Sequence, residues 1–252
     1  MPGHDGSRGW ALVTGAGRRI GRALAIQAAH AGYDVIIHVR AGPQAGQDTA
    51  AEIVRLGRRS HIAVADLSDA AALPGLIGAA SEPVTLLVNC ASLFEDDRLE
   101  SLTPERFDAH IAANLRAPVL LAQAFAAALP ASAHGQIVNI VDQRVWRLTP
   151  QFFSYTLSKA ALWTATQTLA QALAPRIRVN AIGPGPTLAS IHQSETDFDD
   201  ETSAVLLGHG PHPDEIAAAL AYLIDARSVT GQMIAVDGGQ HLAWRTPDIQ
   251  GE

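Results

Sequence analysis

The chain has 252 residues, 48% hydrophobic and 17% charged, which predicts one soluble α/β domain with a substantial core. Its formal net charge of −7 gives no electrostatic reason to expect nucleic acid or an anionic membrane surface as partner. The single cysteine, Cys90, excludes an intrachain disulfide and a thiolate metal cluster.

Residues 1–9, MPGHDGSRG, are polar and glycine-rich and lack the apolar centre of a signal peptide. They read as a flexible segment ahead of one domain over 10–252. No apolar run reaches the roughly 20 residues that span a bilayer, so a cytoplasmic setting is expected. Trp10–Gly21, WALVTGAGRRIG, reads as a short buried strand, a glycine turn at Gly15 and Gly17, and a helix start at Gly21. Such a turn brings backbone N–H groups and a helix N-terminus to a diphosphate. An ordinary tight turn has the same local pattern.

Further strands are expected at Asp34–Val39, Ser60–Val64, Val84–Asn89, Gln136–Val141, Arg176–Ile182 and Gln232–Val236. Helical patterns lie near 19–31, 43–57, 69–80, 103–129, 153–174 and 213–225. Runs such as VIIHV and TLLVN are apolar without alternation, as in parallel strands covered on both faces. Strand–helix alternation with short links predicts a doubly wound, Rossmann-type parallel sheet. Pro184–Pro213 is the least regular stretch, and its acidic run Glu195–Glu201 reads as a solvated loop.

Ligands of such sheets bind beyond the carboxyl ends of the strands. After the second strand come His38, Val39 and Arg40, with no acid for a ribose 2′-hydroxyl. Arg40, Arg18 and Arg19 offer cations to a 2′-phosphate instead, which predicts NADPH over NADH. The same arginines can also be plain surface residues. Asp66, after the third strand, can accept from an adenine amino group or cap the next helix.

Tyr155 and Lys159 are four residues apart in a helical pattern, so they share one face about 6 Å apart along the axis. A cation beside a phenol lowers the phenol's pKa and makes Tyr155 a usable acid/base. A surface pair is the bland alternative. Asn89-Cys90-Ala91-Ser92 ends the fourth strand, Asn114 lies mid-helix, Arg178–Gly185 follows the Tyr155 helix, and Asp237-Gly238-Gly239 closes the sheet.

This set, in this order from Trp10 to Gly239, resembles the short-chain dehydrogenase/reductase family. The resemblance implies seven parallel strands, hydride transfer from a nicotinamide and, as a rule, a homotetramer, with the helices over 103–129 and 153–174 forming subunit contacts. It makes Tyr155 the proton donor, Lys159 a ribose ligand, and Asn114 the anchor of a proton-relay water. It assigns Gly15, Gly17, Arg18, Arg19, Ile20, His38, Arg40, Asp66, Leu67, Asn89, Ala91, Pro184, Gly185 and Thr187 to the cofactor. In the family the region near 185–213 covers the substrate. Two departures are informative: Arg19 replaces the middle glycine of Thr-Gly-x-x-x-Gly-x-Gly, and Asp142 replaces the serine thirteen residues before the tyrosine. Both resemble the pteridine reductases and dihydromonapterin reductases, as does Phe94, which falls where their phenylalanine stacks on the pterin.

A protonated Asp142 next to Tyr155 can relay a proton to the nitrogen of a C=N bond, given a carboxyl pKa raised by burial. A charged Asp142 would instead only orient Gln143, Arg144 or a water, and Phe94 can be simple core filling. The substrate pocket is therefore expected to hold Phe94, Asp142, Tyr155 and Arg19, with Trp146 and Arg147 near its mouth. The leading reading is an NADPH-dependent reductase of a pterin or dihydropterin, with no metal. The alternatives are an NADPH-dependent ketone or 3-oxoacyl reductase and a non-catalytic NADPH-binding regulator.

Overall fold

The computed structural model describes residues 7–189 and 194–244. Its strands are β1 (Trp10–Val13), β2 (Asp34–Val39), β3 (Ser60–Val64), β4 (Val84–Asn89), β5 (Gly135–Ile140), β6 (Ile177–Pro184) and β7 (Met233–Val236). They form one sheet in the order β3-β2-β1-β4-β5-β6-β7, every pairing parallel. All six residues of β2 and all four of β1 are buried, which explains the apolar runs WALV and VII, while Asp34 and His38 of β2 are buried polar residues with hydrogen-bond partners.

The helices are α1 (Arg19–His30), α2 (Gln47–Arg55), α3 (Leu73–Ile77), α4 (Pro104–Ile111), α5 (Ala117–Ala128), α6 (Phe153–Leu173), α7 (Glu195–Ser203) and α8 (Pro213–Asp225). One sheet face packs on α1 and α8 through Leu24, Ala25, Ala28, Leu220 and Leu223. The other packs on α3 and α5 through Leu76, Leu121 and Phe125. Burying a side chain such as Phe125 contributes about 1.5–3 kcal/mol.

Several expectations need correction. The acidic run is not a loop but the helix α7. Ser194 caps it by accepting the Asp197 N–H at 3.1 Å, and the Asp197 carboxylate returns to the Ser194 N–H, a reciprocal cap that stabilises a helix start. The helix expected over 69–80 shrinks to α3. Asp66 and Asp69 spend their carboxylates on the Ser68 and Ala71 N–H groups, holding turns where helix was expected. The helix over 103–129 is interrupted at Ala112–Arg116 by a wider π-type turn. Its full length, Pro104–Ala128, is long and apolar enough by composition to cross a membrane, but Glu105, Arg106, Asp108 and Arg116 break it, and it holds no unbroken apolar run of about 20 residues. In this fold its Ala117, Leu121 and Phe125 lie against the sheet. Of the N-terminal segment, residues 1–6 lie outside the described residues. Ser7–Gly9 is fixed, with the Arg8 N–H donating to Gly32 O at 3.0 Å and the Arg8 guanidinium to Asp225 at 2.8 Å.

The strand order reverses between β1 and β4, which opens a crevice at their carboxyl ends.

Candidate active site

A cleft of about 930 Å³ runs over the carboxyl ends of the central strands. It is lined by Gly15, Gly17, Arg18, Arg19, Ile20, His38, Arg40, Asp66, Leu67, Ala91, Phe94, Asp142, Tyr155, Lys159, Pro184, Gly185 and Thr187. Residues expected from seven separate segments thus converge on one space. Asn89 and Asn114 do not line it.

The glycine turn is built for close approach. Gly15 has φ +68°, and a Cβ there would lie 3.0 Å from the Ala91 Cα. A Cβ on Gly17 would meet the Ala45 carbonyl at 2.3 Å. Thr14 ties the turn to the end of β4, its Oγ1 accepting the Cys90 and Ala91 N–H groups at 2.9 and 3.0 Å. His38 points inward rather than toward a ligand. Its Nδ1 accepts the Gly15 N–H at 3.1 Å, so Nε2 carries the proton and donates to Ala65 O at 3.1 Å. Burial lowers its pKa, consistent with a neutral ring.

Arg18 and Arg40 are exposed at the end of the cleft near Asp66, with no guanidinium hydrogen bond among the described residues. Asp66 is not a helix cap, since α3 begins only at Leu73. Arg19 departs from the expectation of a cation beside Arg40. Its guanidinium donates to the Leu188 and Ala189 carbonyls at 3.0 and 2.8 Å, joining the turn to the segment after β6. Its φ of +55° is a left-handed conformation that glycine adopts freely. The glycine cradle, the two unpartnered arginines and the absence of an acid after β2 fit a dinucleotide carrying a 2′-phosphate.

At the other end, the Tyr155 hydroxyl donates to Asp142 Oδ2 at 2.8 Å, and Asp142 Oδ1 accepts the Arg144 N–H at 2.8 Å. Asp142 therefore both meets the phenol and orients the turn that carries Arg144. Lys159 Nζ donates to Ile140 O at 2.8 Å and lies 5.7 Å from the Tyr155 ring centre. Burial pushes the Asp142 carboxyl above its usual range, against the pull of the Arg144 cation. Burial and the neighbouring Asp142 carboxylate push Tyr155 well above an ordinary phenol. Burial pulls Lys159 down to about 8. The expectation that Lys159 acidifies Tyr155 is thus corrected: the ammonium is spent on a carbonyl, and the phenol is held protonated.

Phe94 is not core filling alone. It is half-buried, stacks on Phe152 with ring centres 4.4 Å apart, and meets the Tyr155 ring edge-on at 4.7 Å. Asn114 is spent within the protein. Its Oδ1 accepts the Leu93 N–H at 2.8 Å, and its Nδ2 donates to Leu93 O at 2.9 Å and Ser158 Oγ at 3.0 Å. Asn89 likewise donates across the sheet to Asn139 at 2.9 Å. Both brace the segment after β4. Trp146 is exposed and packs edge-on to His241, while Arg147 donates to Gln240 O at 3.4 Å at the cleft rim.

Sequence reasoning gave no role to Asp97, Phe152 or Arg144. Asp97 is buried and receives the Ser154 N–H at 2.9 Å and the Ser154 hydroxyl at 2.5 Å, capping α6 from the loop after β4. A separation of 57 positions leaves no local signal for that contact.

A family model described as Enoyl-(Acyl carrier protein) reductase matches residues 15–241. Among solved structures, FolM alternative dihydrofolate reductase 1 from Brucella suis, in complex with NADP, is 49% identical, covering 96% of this chain and 99% of that one with a TM-score of 0.92. A short chain dehydrogenase from Burkholderia cenocepacia, also in complex with NADP, is 32% identical over 92% of this chain and 97% of that one, with a TM-score of 0.85. The (3R)-3-hydroxyacyl-CoA dehydrogenase of Mus musculus is 34% identical over 248 residues, covering 91% of this chain and 95% of the relative.

Proposed function

The chain belongs to the short-chain dehydrogenase/reductase family, and from that premise we propose that it reduces the C=N bond of a pterin or dihydropterin with NADPH. The observation that carries the reading is the part-buried Asp142–Tyr155 hydrogen bond at the cleft wall with the Phe94 ring against the phenol. An aromatic wall suits a flat heterocycle, and a carboxyl–phenol couple suits protonation of a ring nitrogen. The likeness to the Brucella enzyme supports the same substrate class.

When bound, NADPH supplies the hydride. Gly15, Gly17 and the N-terminus of α1 would hold its diphosphate, Arg18 and Arg40 its 2′-phosphate, and Lys159 its nicotinamide ribose. Tyr155 gives its hydroxyl proton to the substrate nitrogen. Asp142, whose protonated form burial favours, returns a proton to the phenolate and is itself reprotonated from water. Pro184–Thr187 and Ala91 would flank the nicotinamide. We place the subunit contacts of a homotetramer on the outer faces of α5 and α6, where Leu157 is exposed, and a mass measurement in solution tests this.

The test is NADPH oxidation with dihydrobiopterin, dihydrofolate and an acetoacetyl thioester in parallel, with NADH as control. Pterin turnover that is lost in Tyr155→Phe and Asp142→Ala supports the reading. Turnover of the thioester alone replaces it with a carbonyl reductase, as the likeness to the mouse dehydrogenase would allow. NADPH binding with no turnover at all replaces it with a regulator.

A further inference from the structure

The substrate end of the cleft contains a cation that the reduction chemistry leaves without a task. Arg144 follows Asp142 by two positions on a short helical turn, aimed by the hydrogen bond from its own N–H to Asp142 Oδ1. Its guanidinium carbon lies 4.9 Å from the Phe152 ring centre and 5.7 Å from that of Phe94, beside the stacked pair. It lines the cleft together with Phe94, Asp142 and Tyr155. Among the described residues, no carboxylate or carbonyl accepts from this guanidinium. Arg19, on the same cleft, and Arg147, beside it, each donate to backbone carbonyls. The fork of five donors is held by ring faces, which leaves its edge available to a ligand.

We propose that Arg144 is a specificity-determining residue that takes an oxygen acceptor of the bound pterin. The proposal rests on the pterin reading. A ring lying against Phe94 and protonated by Tyr155 brings its own oxygens beside this guanidinium. Two sources share that chemistry: the oxo oxygen of the pteridine ring, and a carboxylate on the ring's side chain. A guanidinium edge satisfies either, as it does the paired acceptors of guanine. A 4-amino ring presents a donor at the same place, so the cation disfavours it. The charge of Arg144 is also felt by both Asp142 and Tyr155, the two groups proposed to deliver the proton.

The experiment compares wild type, Arg144→Met and Arg144→Lys. It measures KM and kcat for dihydrobiopterin and dihydrofolate, the inhibition constant of 2,4-diaminopteridine, and the Kd of NADPH by fluorescence. Arg144→Met is expected to raise KM by about 10- to 100-fold, the effect of one lost charged hydrogen bond, with Lys restoring part of it. A rise for both substrates identifies the ring oxygen, and a rise for dihydrofolate alone identifies the side-chain carboxylate. The diamino inhibitor and the NADPH Kd are expected not to weaken. Unchanged KM values, equal weakening of substrates and inhibitor, or a weakened NADPH overturns the proposal. A wild type that reduces no pterin overturns the functional reading instead, and this proposal with it.

Discussion

The Tyr155 hydroxyl sits 2.8 Å from Asp142 Oδ2, and burial holds both groups toward their protonated forms. Both shifts favour a pair that carries its protons over a phenolate beside an ammonium. Activity is expected to be highest at low pH and to fall as pH rises through the raised Asp142 pKa. Asp142→Asn should remove that limb and lower kcat by about 10²- to 10⁴-fold, the usual weight of a general acid. Steady-state pH profiles of both proteins check this.

The same carboxyl affects stability. Its folded pKa lies above the unfolded value, so the folded state binds the proton more tightly. Stability from this group is fully present below the ordinary carboxylate pKa and is lost as pH rises through the raised one. Asp142→Asn should therefore gain on wild type in thermal melts at pH 8 relative to pH 4. Each ~1 kcal/mol moves the Tm of a chain this size by about 2–4 °C.

Lys159 has the opposite sign. Burial lowers its pKa to about 8 from 10.5, so the buried charge penalises the fold fully below pH 8. Wild type should gain in Tm relative to Lys159→Met as pH rises from 8 to 10.5. A constant gap across that range would show that Lys159 titrates normally.

His38 holds the glycine turn only while its Nδ1 is unprotonated. Its pKa is lowered by burial, so its stabilisation is present above the ordinary value of 6.5 and is lost as pH falls below it. NADPH binding should be tight at pH 7.5 and weaken at a pH well below 6.5, once the lowered His38 pKa is passed. His38→Ala should bind weakly at both, since the Gly15 N–H then lacks its acceptor, a loss of about 1–3 kcal/mol. Fluorescence titration at the two pH values separates these outcomes.

Arg40 is proposed to hold the 2′-phosphate and so to set the cofactor preference. Arg40→Asp should weaken NADPH by about 10- to 100-fold and strengthen NADH, because a carboxylate repels the 2′-phosphate and accepts from a 2′-hydroxyl. Equal NADPH affinity in the variant would assign the 2′-phosphate to Arg18 alone.

Much of the fold is legible because it is written locally. The runs Asp34–Val39 and Val84–Asn89 are strands at the same bounds as their apolar sequence. The acidic helix α7 was not legible, because charge density suggested solvent while the reciprocal cap at Ser194 and Asp197 decides the conformation. Tyr155 and Lys159 were identifiable from spacing, but not the direction of the Tyr155 pKa. That direction depends on burial and on Asp142, which lies 13 positions from the phenol it meets. Arg144 and Phe152 acquire meaning only when α6 packs beside the turn after β5.

The loop that presents Phe94 also supplies Asp97, and Asp97 grips the first turn of α6 one residue ahead of Tyr155. The wall of the substrate slot and the acid that serves it are thus mounted on a single bracket. A homologue that drifted in the sequence of this loop would retune both together, so substrate width and proton delivery are inherited as one trait rather than two.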